Sequence, residues 1–185
     1  MGYDLHQKKT IKTHYKACLN NKKIKVTSVI DTDENKLTQV TFKKNKIKTY
    51  LSSDYILKKR NINMIIISLP TIIHSDFLKK ISDTKDLIFV LFEKPFGYNY
   101  LLQKKILQDK NTDFKNKIII NYFRNYIPTI IKILNQIKNQ FYGTLIEVNI
   151  FYKKNNYTNL PHFFSLLSII WGTEYFNKLD IIKKK

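Results

Sequence analysis

A charged pair at the end of a predicted buried strand, Glu93 and Lys94, offers the clearest chemistry in this sequence. The run before it, residues 87–92, is short, apolar and rich in β-branched and aromatic residues, which predicts a strand covered on both faces. Open α/β sheets bind their ligands in the crevice outside the carboxyl ends of such strands. The pair could therefore contact a ligand. The alternative is a solvated turn, and these residues alone leave both interpretations open.

Asp31 also follows a predicted strand, residues 24–30. An acidic residue at the end of the second strand of a dinucleotide-binding fold binds the ribose hydroxyls of the adenosine. A strand followed by Asp is common, so this signal is weak alone. His74 comes soon after another strongly apolar predicted strand, residues 63–69.

His14 and Cys18 lie four residues apart on a predicted helix, residues 11–20, for which Thr10 is the expected N-cap. No further cysteine stands at a ligand spacing, so a packed histidine is favoured and no metal site is expected. The single cysteine also excludes an internal disulfide, which fits a reducing compartment.

Predicted strands alternate with predicted helices through the first two thirds of the chain, and this spacing predicts a doubly wound parallel sheet. The further predicted strands cover residues 47–51 and 117–122, and the helices lie near residues 33–41, 55–57, 74–81 and 101–107.

The remainder has longer elements. Pro128 fits the first turn of a helix with an apolar stripe at residues 127, 130, 131, 134 and 137, and Gly143 is expected to end it. Residues 144–152 predict a long strand with alternate apolar side chains on one face. Pro161 and His162 are expected to open a helix that is apolar nearly all round, hence buried, and that stops at residues 171–172.

The composition is strongly basic, with 33 lysines and arginines against 14 aspartates and glutamates among 185 residues, a formal charge of +19. One interpretation is a polyanion-binding surface. The favoured alternative is codon bias, because the lysines are dispersed and no nucleic-acid-binding signature is found. No apolar run is long enough for a bilayer and the start lacks a signal-peptide core, so a cytoplasmic protein without nucleic-acid or membrane partners is expected.

Taken together, the motifs resemble the Gfo/Idh/MocA family of nicotinamide-dependent oxidoreductases. Their order and spacing agree over almost the whole chain, and the P-x-x-x-H and E-K-P pair is fairly specific. The matching segments are V-I-D-T-D at 29–33, S-L-P-T-I-I-H at 68–74, F-E-K-P-F at 92–96, N-Y-F-R-N-Y-I-P at 121–128, G-T-L-I-E-V at 143–148, and His162 leading to W-G at 171–172.

The resemblance implies a Rossmann-like NAD(P)-binding domain over residues 1–122 and the beginning of a C-terminal α/β substrate domain over residues 123–185. It implies hydride transfer between NAD or NADP, with NAD favoured by Asp31, and the hydroxyl or carbonyl of a sugar-like small molecule. A homo-oligomer is compatible with it.

The resemblance also implies roles for individual residues. Asp31 would bind the cofactor's ribose, and Pro70, Thr71 and His74 would line the nicotinamide side. Glu93 and Lys94 would contact both the cofactor's ribose and the substrate, and the Lys94–Pro95 bond would be cis. Arg124 and Asn159 would face the substrate. Oxidising an alcohol requires a base with a pKa near the working pH and a cation beside the developing alkoxide, and Lys94 and His162 would divide these roles.

Three departures from the family pattern stand out. The chain lacks the family's first strand with its G-x-G-x-x-G turn, which is the central strand of the usual order, and it stops at Lys185, short of a full second domain. Ser165 stands where the family often has an Asp, which would leave His162 less well oriented and less basic. We therefore expect a truncated member of the family. The alternatives are a degenerate, non-catalytic fragment and, less favoured, a basic nucleic-acid-binding protein.

Overall fold

The computed structural model describes residues 13–38, 47–53, 61–84, 86–108, 112–151 and 156–172. The chain divides into two compact units. The first unit comprises Met1–Phe92 and Asn99–Ile119, and the second comprises Glu93–Tyr98 and Ile120–Lys185.

Short parallel strands form the sheets of the first unit. Strand β1 (Ser28–Ile30) pairs in parallel with β2 (Lys48–Tyr50), and β3 (Met64–Ile67) pairs in parallel with β4 (Phe89–Phe92). Strand β4 lies between β3 and β5 (Ile118–Ile120). These orders correspond to strands 3-2 and 4-5-6 of a doubly wound sheet, and no strand joins β1 to β3 in the described ranges. The predicted Rossmann-like α/β fold with parallel strands is thus confirmed.

The helices of the first unit follow the strands. They are α1 (His14–Asn20), α2 (Glu34–Thr38), α3 (His74–Ile81), α4 (Tyr100–Gln108) and α5 (Thr112–Asn116), with a 3₁₀ turn at Thr71–Ile73. The sequence pattern predicts one apolar face of α3 from Phe77, Leu78 and Ile81. Leu78 and Ile81 are fully buried and Phe77 is half-buried. Val90 and Phe92 of β4 are also fully buried.

Some predicted boundaries in this unit are wrong. Helix α1 is capped by Thr13 and not by Thr10: Thr13 has extended backbone angles, φ −127° and ψ 151°, and its Oγ1 accepts the N–H of Lys16 at 3.3 Å. Strand β1 covers three residues and not the whole of 24–30, because its ladder extends only from Ser28 to Ile30, opposite β2. Strands β3, β4 and β5 are likewise shorter than predicted. The predicted helix at 55–57 lies outside the described residues.

Helix α6 (Pro128–Lys138) begins with a proline in its first turn, as predicted, but ends five residues before Gly143. A Schellman motif closes it. Gln140 adopts a left-handed φ of 54°, its N–H donates to the carbonyl of Ile137 at 3.0 Å, and the N–H of Phe141 donates to Gln136 at 2.9 Å. A glutamine therefore occupies the position that the sequence pattern assigned to glycine.

The other two predictions for the second unit need correction. The predicted strand over residues 144–152 is not formed, because residues 144–151 have no hydrogen-bonded neighbouring strand in the described part of the chain. Ile146 is accordingly 95% exposed. Helix α7 (Asn156–Trp171) begins before Pro161, which therefore lies inside it. Its expected all-round burial is only partial, since His162 and Leu167 are buried but Ile169 is 38% exposed.

Candidate functional site

The side chain of His162 forms the centre of a cluster within the second unit. Helix α7 places it against a 3₁₀ turn, Phe123–Tyr126, and it is only 3% exposed. The ring of Phe123 lies 5.0 Å from the imidazole and that of Tyr122 lies 6.1 Å away, both edge-on. Its Nδ1 atom is buried and makes no hydrogen bond within the described residues. The imidazole is therefore held by packing, and one ring nitrogen has no hydrogen-bond partner in the part of the chain that the structure describes.

The surroundings of His162 favour its neutral form. Burial is the largest cause that lowers its pKa below the ordinary 6.5, and the positive charges of Arg124 and Lys94 lower it further. The carboxylate of Glu93 acts in the opposite direction with a smaller effect. At neutral pH the side chain is therefore an uncharged imidazole, the form that can accept a proton.

Glu93 and Lys94 belong to the same unit as His162, and their charges act on its imidazole. The Nδ2 group of Asn121 donates a 2.7 Å hydrogen bond to Oε1 of Glu93, which directs that carboxylate. The Lys94–Pro95 bond is cis, as predicted. A carboxylate, an ammonium and a neutral imidazole thus belong to one cluster, and these groups can position a hydroxyl, stabilise charge on its oxygen and accept its proton.

The residues predicted on the substrate side also lie in this unit. The guanidinium of Arg124 sits over the ring of Phe163 at 5.1 Å from its centroid and at 5.9 Å from that of Phe123. Asn159 is half-buried on α7, three residues before His162 and so on the same side of the helix.

Sequence reasoning missed two asparagines. Asn121 directly follows β5, so its position after a strand could have revealed it. Asn125 gave no such signal. Its Nδ2 donates to Oγ of Ser165 at 2.7 Å, while its Oδ1 is buried with no hydrogen bond in the described ranges.

In the first unit, Asp31 lies directly after β1, as expected, and its side chain is 15% exposed. Its Oδ1 accepts the N–H of Asp33 at 3.1 Å, and the ammonium of Lys36 lies 3.9 Å away. The carboxylate is therefore held at the carboxyl end of a parallel strand, where this fold binds ribose hydroxyls.

His74 begins α3 but is almost fully buried, at 1% exposed. Its Nε2 donates to the carbonyl of Leu69 at 2.9 Å, and its ring meets Phe92 edge-on at 5.4 Å. Thr71 is half-buried and Pro70 is exposed just before it. His74 thus packs in the core of its unit, and contact with a cofactor stays a prediction for these three residues.

Neither a metal centre nor a membrane span is present in the described ranges. They contain no group of three or more His, Cys, Asp and Glu residues that could hold a metal ion. None of their helices combines the length and the apolar character needed to cross a bilayer.

Comparison with solved structures identifies relatives of low sequence identity and similar fold. A putative myo-inositol dehydrogenase from Sinorhizobium meliloti 1021 superposes with a TM-score of 0.70 at 16% identity, over 86% of this chain and 51% of that one. Myo-inositol dehydrogenase from Lactobacillus casei, in complex with NAD(H) and myo-inositol, gives 0.66 at 19% identity, over 80% and 47%. A myo-inositol dehydrogenase from Corynebacterium glutamicum gives 0.67 at 17%, over 83% and 49%. The chain thus spans about half the length of these structures.

No curated protein matches the sequence. The model of the Gfo/Idh/MocA oxidoreductase family, NAD-binding Rossmann fold, matches residues 9–111, more than half of the chain. The E-K-P and P-x-x-x-H motifs and the parallel sheets agree with that match. The chain is a member of the Gfo/Idh/MocA family of oxidoreductases.

Proposed function

We propose that this protein is an NAD(P)-dependent oxidoreductase. It transfers hydride to or from the carbon that carries the hydroxyl or carbonyl group of a sugar or sugar derivative. The observation that carries the proposal is His162, a buried, neutral imidazole whose Nδ1 accepts no hydrogen bond from the described residues. The charges of Arg124, Lys94 and Glu93 act on it. A pKa shifted by burial together with specific charged neighbours marks a candidate functional residue.

The proton and the charge are assigned to different residues. His162 accepts the proton of the substrate hydroxyl during oxidation and returns it during reduction. The ammonium of Lys94 stabilises the negative charge that develops on the same oxygen. Glu93, oriented by Asn121, and Asn159 position the sugar's other hydroxyls or the cofactor's ribose.

The first-unit residues fit one part of a nicotinamide dinucleotide. The Asp31 carboxylate, at a strand end and partly accessible, suits a ribose diol and favours NAD over NADP. Pro70, Thr71 and His74 are proposed on the nicotinamide side. When bound, the nicotinamide supplies C4 as the hydride acceptor or donor. The sequence contains no G-x-G-x-x-G, so no pyrophosphate-binding glycines are assigned.

The proposed domain division places the NAD(P)-binding domain in residues 1–122 and the start of the substrate domain in residues 123–185. The boundary between the compact units near residue 120 supports it, although Glu93–Tyr98 groups with the second unit.

The test uses the 185-residue chain. We expect NADH fluorescence to change on binding and NADH to form from NAD⁺ with myo-inositol or another cyclitol or sugar. His162→Gln should lower the rate by about 100-fold or more without changing NADH affinity, because general-base catalysis contributes factors of this size. His14→Gln, the same change at a half-buried histidine of α1, is the matched control. Failure to bind NADH refutes the proposal.

A non-catalytic member of the family is the second candidate. It is favoured by Ser165, which stands where the family often has an Asp and which accepts a hydrogen bond from the neutral side chain of Asn125. NADH binding without turnover on any sugar or cyclitol would support it, whereas measurable turnover would exclude it.

A further inference from the structure

The guanidinium of Arg124 is held by aromatic rings and not by a carboxylate. It lies over Phe163 and within 6 Å of Phe123, and it makes no ion pair or hydrogen bond in the described part of the chain. Contacts with ring faces use none of its N–H donors. Because those donors form a rigid planar fork, they match the oxygens of a carboxylate or a phosphate.

The charges around Arg124 also favour an anion. Its positive charge and that of Lys94 both act on His162, and Glu93 is the one carboxylate that acts there within the described residues. Oε1 of Glu93 already accepts a hydrogen bond from Asn121 at 2.7 Å. Two positive charges and one negative charge thus act on this imidazole.

We infer that Arg124 binds an oxyanion of the substrate, a carboxylate or a phosphate, so that the substrate is an anionic sugar and not a neutral polyol. The inference rests on the proposed function, since the bound sugar is the one that His162 and Lys94 would act on. A neutral polyol would offer the guanidinium no acceptor of opposite charge.

Matched sugars test this inference by isothermal titration of the 185-residue chain in the presence of NADH at low salt. D-glucuronate and D-glucose share a ring and differ in the carboxylate, and D-glucose 6-phosphate carries a phosphate instead. We expect at least one of the two anionic sugars to bind about tenfold more tightly than glucose, a factor that equals roughly 1.4 kcal/mol. Which of them gains more distinguishes a carboxylate from a phosphate ligand.

Variants then locate the effect. Arg124→Gln should abolish the preference for the anionic sugar, and Arg124→Lys, which keeps the charge but loses the fork, should retain part of it. Lys132→Gln removes one positive charge from an exposed position on α6 and should leave the preference intact. Circular dichroism of each variant confirms that it folds, and the comparison of sugars on the unchanged protein does not depend on any variant.

Three outcomes would overturn the inference. The first is equal affinity for glucose and both anionic sugars, and the second is a preference for the anionic sugar that survives in Arg124→Gln. The third is a loss of NADH affinity in Arg124→Gln, which would assign the guanidinium to a cofactor phosphate. Failure of the unchanged chain to bind NADH refutes the proposed function instead. The sugar preference is measured separately, so the two failures are distinguishable.

Discussion

The Nδ2 atom of Asn125 donates a 2.7 Å hydrogen bond to Oγ of Ser165, which ties the 3₁₀ turn Phe123–Tyr126 to the helix that carries His162. Both partners are neutral. The charge state of His162 is therefore governed by burial and by Arg124, Lys94 and Glu93, and not by a carboxylate on its own helix.

Replacing this neutral partner by an acid should raise the pKa of His162. Ser165→Asp places a negative charge one helical turn from the imidazole, and an adjacent anion favours the protonated form. The measurement is an NMR titration of the His162 ring protons. Ser168→Asp, one further turn away on the same helix, is the control and should raise the pKa less. An unchanged His162 pKa in Ser165→Asp would show that the two side chains do not interact electrostatically.

The stability of the protein should fall as the pH decreases below about 6.5. Because the pKa of His162 is lowered in the folded state, the unfolded chain binds more protons between the folded pKa and the ordinary value of about 6.5. The stabilisation that the neutral His162 provides is thus complete above about pH 6.5. It is lost as the pH falls from there to the pKa of His162 in the folded state. Urea denaturation at pH 7.5 and 5.5 measures this. His162→Gln should show a smaller loss, and equal losses in both proteins would contradict the prediction.

The hydrogen bond between Asn121 and Glu93 should contribute measurably to stability. Asn121→Ala should lower the free energy of unfolding by about 1 kcal/mol, the usual net value for such a bond. Asn121→Asp should cost more, since it sets a second carboxylate against Glu93. Urea denaturation provides both values. If Asn121→Asp were as stable as the unchanged protein, the contact would not form in solution.

The core of the first unit should be sensitive to truncation at Leu78. This side chain is fully buried on α3, so Leu78→Ala should cost about 2–5 kcal/mol through lost burial and a cavity. Leu101→Ala removes the same atoms from a helix position that is 74% exposed and should change stability by less than about 0.5 kcal/mol. The two variants are compared by urea denaturation. Similar costs at both positions would mean that α3 does not pack as described.

The residues alone predicted several local features of this protein correctly. The apolar run before Glu93 and Lys94 predicted a buried strand, and the spacing of Leu78 and Ile81 predicted the inner face of α3. Both depend on periodicity within a few residues, which a sequence displays directly. The motifs around Asp31, His74 and Glu93 were likewise sufficient to identify the family that the matching model supports.

Only the tertiary structure decided which residues meet. The hydrogen bonds Asn121–Glu93 and Asn125–Ser165 join positions 28 and 40 residues apart, and no local pattern encodes them. Strand lengths, and the absence of a strand pair for residues 144–151 within the described ranges, depend on a hydrogen-bonded neighbour from elsewhere in the chain. The pKa of His162 is lowered by burial and by charges distant in sequence. Residue types and short-range spacing thus specify elements and family, whereas pairing, burial and charge state arise when distant segments come into contact.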